Sequence, residues 1–276
     1  MKHRIFWVKT IRFVFLLVGT CVTLLPFIWM ILASFKPNGE IVSYPPSFFP
    51  ETWTISNYKN LFATTPIFTY LKNSAIITGG CTVSILICSC LAAYSISIMK
   101  TPGSKVVLSV VTFGIILPVQ INYIPLLNMV STWGLMNTRL GVMLPYLATA
   151  FGTYLMCSFF LTIPREIVEA GAIDGLGEVG ILTRLVMPLA KPGIATLIIF
   201  ESMSIWRDFM WPFLVISKRA MFTMPLGVVS FWQGNDVMQW GMIMAIATVA
   251  VVPLIIVYFS SQKYFIEGIS FSGIKG

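Results

Sequence analysis

EAGAIDGLG, residues 169–177, sets two carboxylates and three glycines close together in a chain that is otherwise greasy. Apolar residues make up 57% of its 276 positions and charged ones only 10%, against about 25% charged in soluble domains. With a mean hydropathy of +0.87, the composition excludes an ordinary soluble domain and points to a chain that crosses a membrane repeatedly. The nine residues therefore belong to a loop, and placing that loop among the spans decides the fold.

A spanning helix needs about 20 apolar residues. Six runs qualify, at about 12–34, 72–98, 106–129, 139–161, 192–216 and 241–262. The expected fold class is all-α, a polytopic membrane protein of six transmembrane helices. Lys2, Arg4, Lys9 and Arg12 precede the first run in the manner of a signal peptide. However, the apolar core from Phe13 to Phe35 exceeds the roughly 7–15 residues of such a segment, and no A-x-A site follows. An uncleaved first helix is expected. The excess of lysine and arginine falls on the side of the N-terminus, so both termini are expected to be cytoplasmic. The formal charge of +8 does not indicate nucleic acid, because the basic residues sit at the ends of apolar runs and not in one stripe. The cysteines are five and show no CxxC spacing, which indicates neither a disulfide framework nor a metal site.

The expected organisation is a tail and first helix (1–35), an outer loop (36–71), a five-helix core (72–262) and a C-terminal tail (263–276). The outer loop carries YPPSFFPETWTISNYKNLF (44–62), whose prolines forbid a continuous helix and whose aromatics suit a lipid interface. The only long inner loop is about 162–191, and it contains the opening stretch. In TIPREIVEAGAIDGLGEVGILTRLVMPLAKP (162–192), Thr162 is an expected cap, with Pro164 and Glu166 in the first turn. Ile167, Ala170, Gly171 and Asp174 then share one face of a short helix that Gly175 and Gly177 end. A second short helix is expected from about Glu178 to Met187. The face at Ala170 and Gly171 is small, and Glu169 and Asp174 offer carboxylates to a basic partner. An interfacial helix lying on lipid would show lysines and bulky anchors instead. The pattern favours docking of another protein.

The fifth run, PGIATLIIFESMSIWRDFMWPFLVI (192–216), contains Glu201, Arg207 and Asp208. An ionisable group at a helix centre costs about 2.5–3.5 kcal/mol, so all three must face protein or water. Glu201 and Asp208, seven apart, would share a face about 10 Å apart along the axis, with Arg207 pointing elsewhere. They either line a solute pathway, with the aromatic rings of Trp206 or Trp211 along it, or pair helices and subunits together. Gln120, Asn122 and Tyr123, between Pro118 and Pro125, are further pathway candidates, because broken helices are tolerated where they line a cavity. They are equally suited to bonding neighbouring helices.

The loop resembles the EAA loop of permease subunits in binding-protein-dependent ATP-binding-cassette importers. The matching residues are Glu169-Ala170-Gly171, Asp174-Gly175-Leu176, Ile181, Met187-Pro188 and Pro192. Gly171, Leu176 and Met187 depart from the pattern. NSAIITGG (73–80), LAAYSI (91–96), the stretch 117–146, IWRDFMWPFLVI (205–216) and QKYFIEGISFSGIKG (262–276) are similar to the carbohydrate-type members. The resemblance implies a type I importer fold in a bacterial plasma membrane, with a second permease, a cytoplasmic ATPase dimer and an extracytoplasmic solute-binding protein as partners. It implies that the loop couples to the ATPase. Ala170 and Gly171 would give close approach, Gly175 a sharp turn, and Glu169 and Asp174 the register. It implies that the tail from Gly273 to Gly276 also reaches the ATPase. It implies a sugar as solute, although glycerophosphate and polyol permeases share these motifs. No cofactor is expected on this chain, since ATP and magnesium belong to the partner. Asp208 matches the family's span-five pattern, whereas Arg207 stands where a smaller neutral residue is usual. A secondary transporter would show inverted repeats with interrupted helices in both halves. No such symmetry is visible, and no catalytic motif is present.

Overall fold

The computed structural model describes the backbone of residues 2–233 and 238–272 and the side chains of 9–231 and 238–260. Every regular element among the described residues is helical. Three helices are long and apolar enough to cross a membrane by themselves: Lys9–Ser34, Ile67–Met99 and Trp240–Ser260. Three bent pairs add up to three further spans, so the described residues hold three to six by length and composition.

The bends correct the expectation of continuous spans. The run at 106–129 is two helices, Ser104–Ile116 and Val119–Thr132, turned by 94°. Pro118 disfavours helical geometry at Leu117, which is extended at ψ 127°. The first half, at 13 residues, is about 20 Å long and falls short of a bilayer core of about 30 Å. The fourth run bends by 45° between Arg139–Tyr146 and Ala150–Phe160. The fifth begins after an 80° turn from Glu178–Leu189 into Lys191–Arg207, and it ends at Arg207, earlier than expected.

Two compact units make up the chain. The first comprises residues 1–67 and 228–252. Its buried Asn57 donates to the carbonyls of Ser34 (2.9 Å) and Lys36 (2.8 Å), tying the helix Ser56–Thr64 to the end of the first long helix. Gly241 lies so close that an added Cβ would be 2.5 Å from the Asn57 amide. The segment after the first long helix turns on Lys36, which is only 2% exposed. Its Nζ donates to the Ser47 carbonyl at 2.6 Å and lies 3.5 Å from Glu40. Glu40 in turn accepts from the Ser47 hydroxyl and the backbone N–H of Glu51. A lysine in an outer loop reads as a surface charge; here the Pro-rich chain wraps it.

The second unit comprises residues 68–227 and 253–276 and holds the main core, which includes Ile85, Val130, Met156, Phe160, Leu197 and Trp211. The NS of NSAIITGG anchors one end of it. Asn73 donates to the carbonyls of Ala220 and Phe222, both at 3.0 Å, and accepts from Arg139. Ser74 accepts the N–H of Met224 at 2.8 Å.

Candidate functional site

The loop helix runs from Arg165 to Ile173. Pro164 precedes it, and Thr162 does not cap it, because its hydroxyl donates back to the Phe159 carbonyl at 2.7 Å. The end follows the glycine expectation. Gly175 is left-handed at φ +82°. The N–H of Leu176 reaches the Gly171 carbonyl at 3.0 Å and that of Gly175 the Ala172 carbonyl at 3.1 Å. This closes the last carbonyls in the manner of a Schellman motif. The second helix, Glu178–Ile181, widens to a π turn at Leu182–Val186 before Met187–Leu189.

Gly171 does not present its small face outward. It is buried, and an added Cβ would lie 2.5 Å from Leu185 Cδ1, with Leu176 and Ile181 beyond. The close approach is made within the loop, where the two short helices meet. Glu169, Ala170, Asp174 and Gly175 remain on the exposed side. Beside them Ile173 and Val179 are 85% and 74% exposed. This apolar pair flanking an acidic turn was not singled out by its sequence, since only the fold turns both residues outward. Gly273 and Gly276 lie outside the described residues.

The loop is joined to the core through Tyr94, whose hydroxyl donates to Glu178 Oε2 at 2.5 Å. Glu178 reads in sequence as a first-turn acid favoured by the helix dipole, and nothing in the pattern points across 84 residues to Tyr94.

The second cluster lies on the seam between the fourth and fifth runs. Thr149 caps the helix Ala150–Phe160 by accepting from the Gly152 N–H at 3.0 Å, and it donates to Glu201 Oε1 at 2.5 Å. Tyr146, three residues earlier at the bend, donates to Asp208 Oδ2 at 2.6 Å. The two acids do not share a helical face. The helix ends at Arg207, and Asp208 is extended at ψ 125°, where its carboxylate accepts from the backbone of Met210 and Trp211 and starts the next helix, Met210–Val215. A hydroxyl at the bend of the fourth run thus clamps each acid on the fifth, Glu201 within its helix and Asp208 where that helix ends.

A cavity of about 480 Å³ opens beside this seam, lined by Glu201, Thr149, Tyr146, Ser204, Phe200 and Arg207 among others. Arg207 therefore shares the space with Glu201 and does not point elsewhere as expected. Trp206 instead faces a separate, apolar groove with Val83, Leu86 and Pro253. Trp211 is fully buried, its Nε1 donating to the Val142 carbonyl at 3.2 Å, so it has no ring face free for a sugar. Tyr123 packs against Trp211 with centroids 5.7 Å apart. Gln120 and Asn122 are exposed on the turn at the 94° bend, and of that turn only Val119 reaches the cavity.

Residues 84–270 match the family described as binding-protein-dependent transport system inner membrane component. The match spans well over half of the chain, and the chain belongs to this family. It is a membrane-embedded permease subunit of ATP-binding-cassette importers and not an enzyme, ATP hydrolysis being carried by a separate subunit. The diacetylchitobiose uptake system permease protein of Streptomyces coelicolor is 29% identical over 252 residues, covering 90% of this chain and 83% of that one. The arabinooligosaccharides transport system permease protein of Bacillus subtilis is 29% identical over 258 residues, covering 92% and 91%. In fold, the chain is similar to a subunit of a bacterial ABC transporter involved in the import of the acidic polysaccharide alginate. The TM-score is 0.82 at 24% identity, covering 95% of this chain and 97% of that one.

Proposed function

We propose that this chain, paired with a second permease, forms the path for an oligosaccharide or related carbohydrate and couples it to a cytoplasmic ATPase dimer. The observation that carries the coupling is the loop 162–191. A Schellman-closed turn at Gly175 leaves Ile173 and Val179 exposed on either side of it, with Glu169 and Asp174 exposed nearby in the chain, and Glu178 ties the same loop to Tyr94. An exposed apolar pair on a soluble-facing loop is costly in water and favours a protein partner. The names of the relatives, which concern diacetylchitobiose and arabinooligosaccharides, support a sugar as the solute. A relative for sn-glycerol-3-phosphate, 27% identical, keeps that solute class as the second reading.

In this reading both termini are cytoplasmic, and an extracytoplasmic solute-binding protein delivers the sugar. ATP and magnesium are held by the ATPase, with no cofactor on this chain. Closure of the ATPase dimer moves the loop, Glu178 carries the movement to the end of the Ile67–Met99 helix, and the seam at Tyr146–Asp208 and Thr149–Glu201 opens or closes as alternating access requires. The test is to purify the membrane complex with Glu169→Lys or Gly175→Lys in this chain. Both variants should insert in the membrane yet lose most of their transport per ATP hydrolysed. Full transport by both would refute coupling through this loop.

A further inference from the structure

Arg207 is the last residue of the Lys191–Arg207 helix, and its charge is left unbalanced by the fold. Its Nε donates to the Met203 carbonyl at 3.1 Å. The only ion pair among the described residues is Lys36 with Glu40, so no described carboxylate lies within 4.0 Å of the guanidinium. The two acids nearest in sequence are already engaged. Asp208 accepts from Tyr146 and from the backbone of Met210 and Trp211, and Glu201 Oε1 accepts from Thr149. A cation in a membrane-spanning run without a counter-charge is expensive, and such a residue is kept where water or a ligand meets it. Arg207 meets the 480 Å³ cavity, which it lines together with Ser204, Glu201 and Phe200.

We propose that this cavity selects a sugar bearing an oxyanion, a carboxylate or a phosphate, and that Arg207 is the residue that determines this specificity. The inference rests on the reading of the chain as a sugar importer's permease. The guanidinium presents a planar fork that matches carboxylate and phosphate oxygens in pairs. Glu201 lies six residues away, about 9 Å along the helix, and its carboxylate can accept sugar hydroxyls at the other end of the same space. A solute with hydroxyls at one end and an oxyanion at the other complements both groups. A neutral sugar leaves the cation unmatched.

The test uses the whole transporter in proteoliposomes: this chain with its second permease, ATPase and solute-binding protein. Uptake of trigalacturonate and of glucose 6-phosphate is compared with uptake of neutral galactotriose, for the wild type, Arg207→Gln and Arg207→Lys. The wild type should take up at least one of the two anionic sugars. Arg207→Gln should lower that uptake relative to galactotriose by roughly tenfold or more, the scale of a charge-assisted hydrogen bond. Arg207→Lys, which keeps the charge but loses the paired fork, should fall between the wild type and Arg207→Gln. Uptake of galactotriose alone, or an Arg207→Gln transporter with wild-type preference, overturns the inference and leaves the sugar reading standing. An Arg207→Gln chain that no longer co-elutes with its partner subunits also overturns it, because the guanidinium then belongs to an intersubunit pair. Uptake of none of the three, with ATP hydrolysis still responding to the solute-binding protein, defeats the sugar reading itself, and this inference with it.

Discussion

The Tyr94 hydroxyl donates to Glu178 at 2.5 Å, joining the C-terminal end of the Ile67–Met99 helix to the first residue of the second loop helix. Tyr94 is 5% exposed and cannot swing away without unpacking. Tyr94 opens one π turn, Tyr94–Met99, and the short helix that Glu178 begins runs into another, Leu182–Val186, a geometry that recurs at functional sites. A rigid aromatic on one side and an exposed acid on the other make a short strut between loop and core.

Tyr94→Phe removes that strut and little else. Glu178 returns to water, so the stability cost should stay below about 1.5 kcal/mol. Transport per ATP hydrolysed should fall by about two- to tenfold in proteoliposomes. An unchanged ratio would show that the loop moves the core by another route.

Gly171 and Ala170 are adjacent and small, but the fold assigns them opposite surroundings. Gly171→Leu forces its side chain into Leu185 and should lower stability by about 1–3 kcal/mol, read from thermal unfolding in detergent. Ala170→Leu lies on the exposed side and should change stability by no more than about 0.5 kcal/mol. It should nonetheless weaken recovery of the ATPase with the permease. Equal stability losses in the two variants would contradict the observed packing.

Asn73 satisfies two carbonyls and the Arg139 guanidinium at once. Asn73→Ala leaves all three unmatched and should cost about 1–3 kcal/mol or more. Asn73→Asp keeps the Arg139 partner but has no N–H for Ala220 and Phe222, so it too should unfold at a lower temperature. If Asn73→Asp were as stable as the wild type, the Arg139 contact would be the only one that counts.

Glu40 is held below the ordinary carboxylate range, chiefly by the Glu51 N–H; desolvation is the next influence and opposes it, and the Ser47 hydroxyl, the Thr52 N–H and the Lys36 charge add to the lowering. A carboxylate with a lowered folded-state pKa stabilises the loop above its unfolded pKa, about 4.3 for Glu. That contribution is lost as pH falls through the lower folded value. Protease nicking of residues 36–55 should therefore rise on acidification below about pH 4.3, and Glu40→Gln should flatten the profile. A wild-type profile as flat as the variant's would remove Glu40 from the loop's support.

Several features were legible in the residues alone because their causes are local. Hydropathy over about 20 residues finds the spans. Gly175 was read as a helix end and adopts the positive φ that only glycine takes easily. The EAA-like loop and the motifs around it pointed to the family that residues 84–270 match. Pro118 was suspected as a break, but the 94° turn it introduces exceeds what a hydropathy window registers.

The seam was not legible, nor was the orientation of the small residues. Glu201 meets Thr149 across 52 residues, Asp208 meets Tyr146 across 62, and Glu178 meets Tyr94 across 84. A hydroxyl in an apolar run looks the same whether it bonds its own helix or a distant acid. Gly171 looks like a docking face until the second helix is packed against it, and Lys36 looks like a surface charge until the loop closes over it. Sequence by itself determined which segments leave water, because desolvation is summed residue by residue along the chain. Only tertiary structure decided which polar group satisfies which, because hydrogen-bond partners within the membrane are chosen by the bends that bring distant runs together.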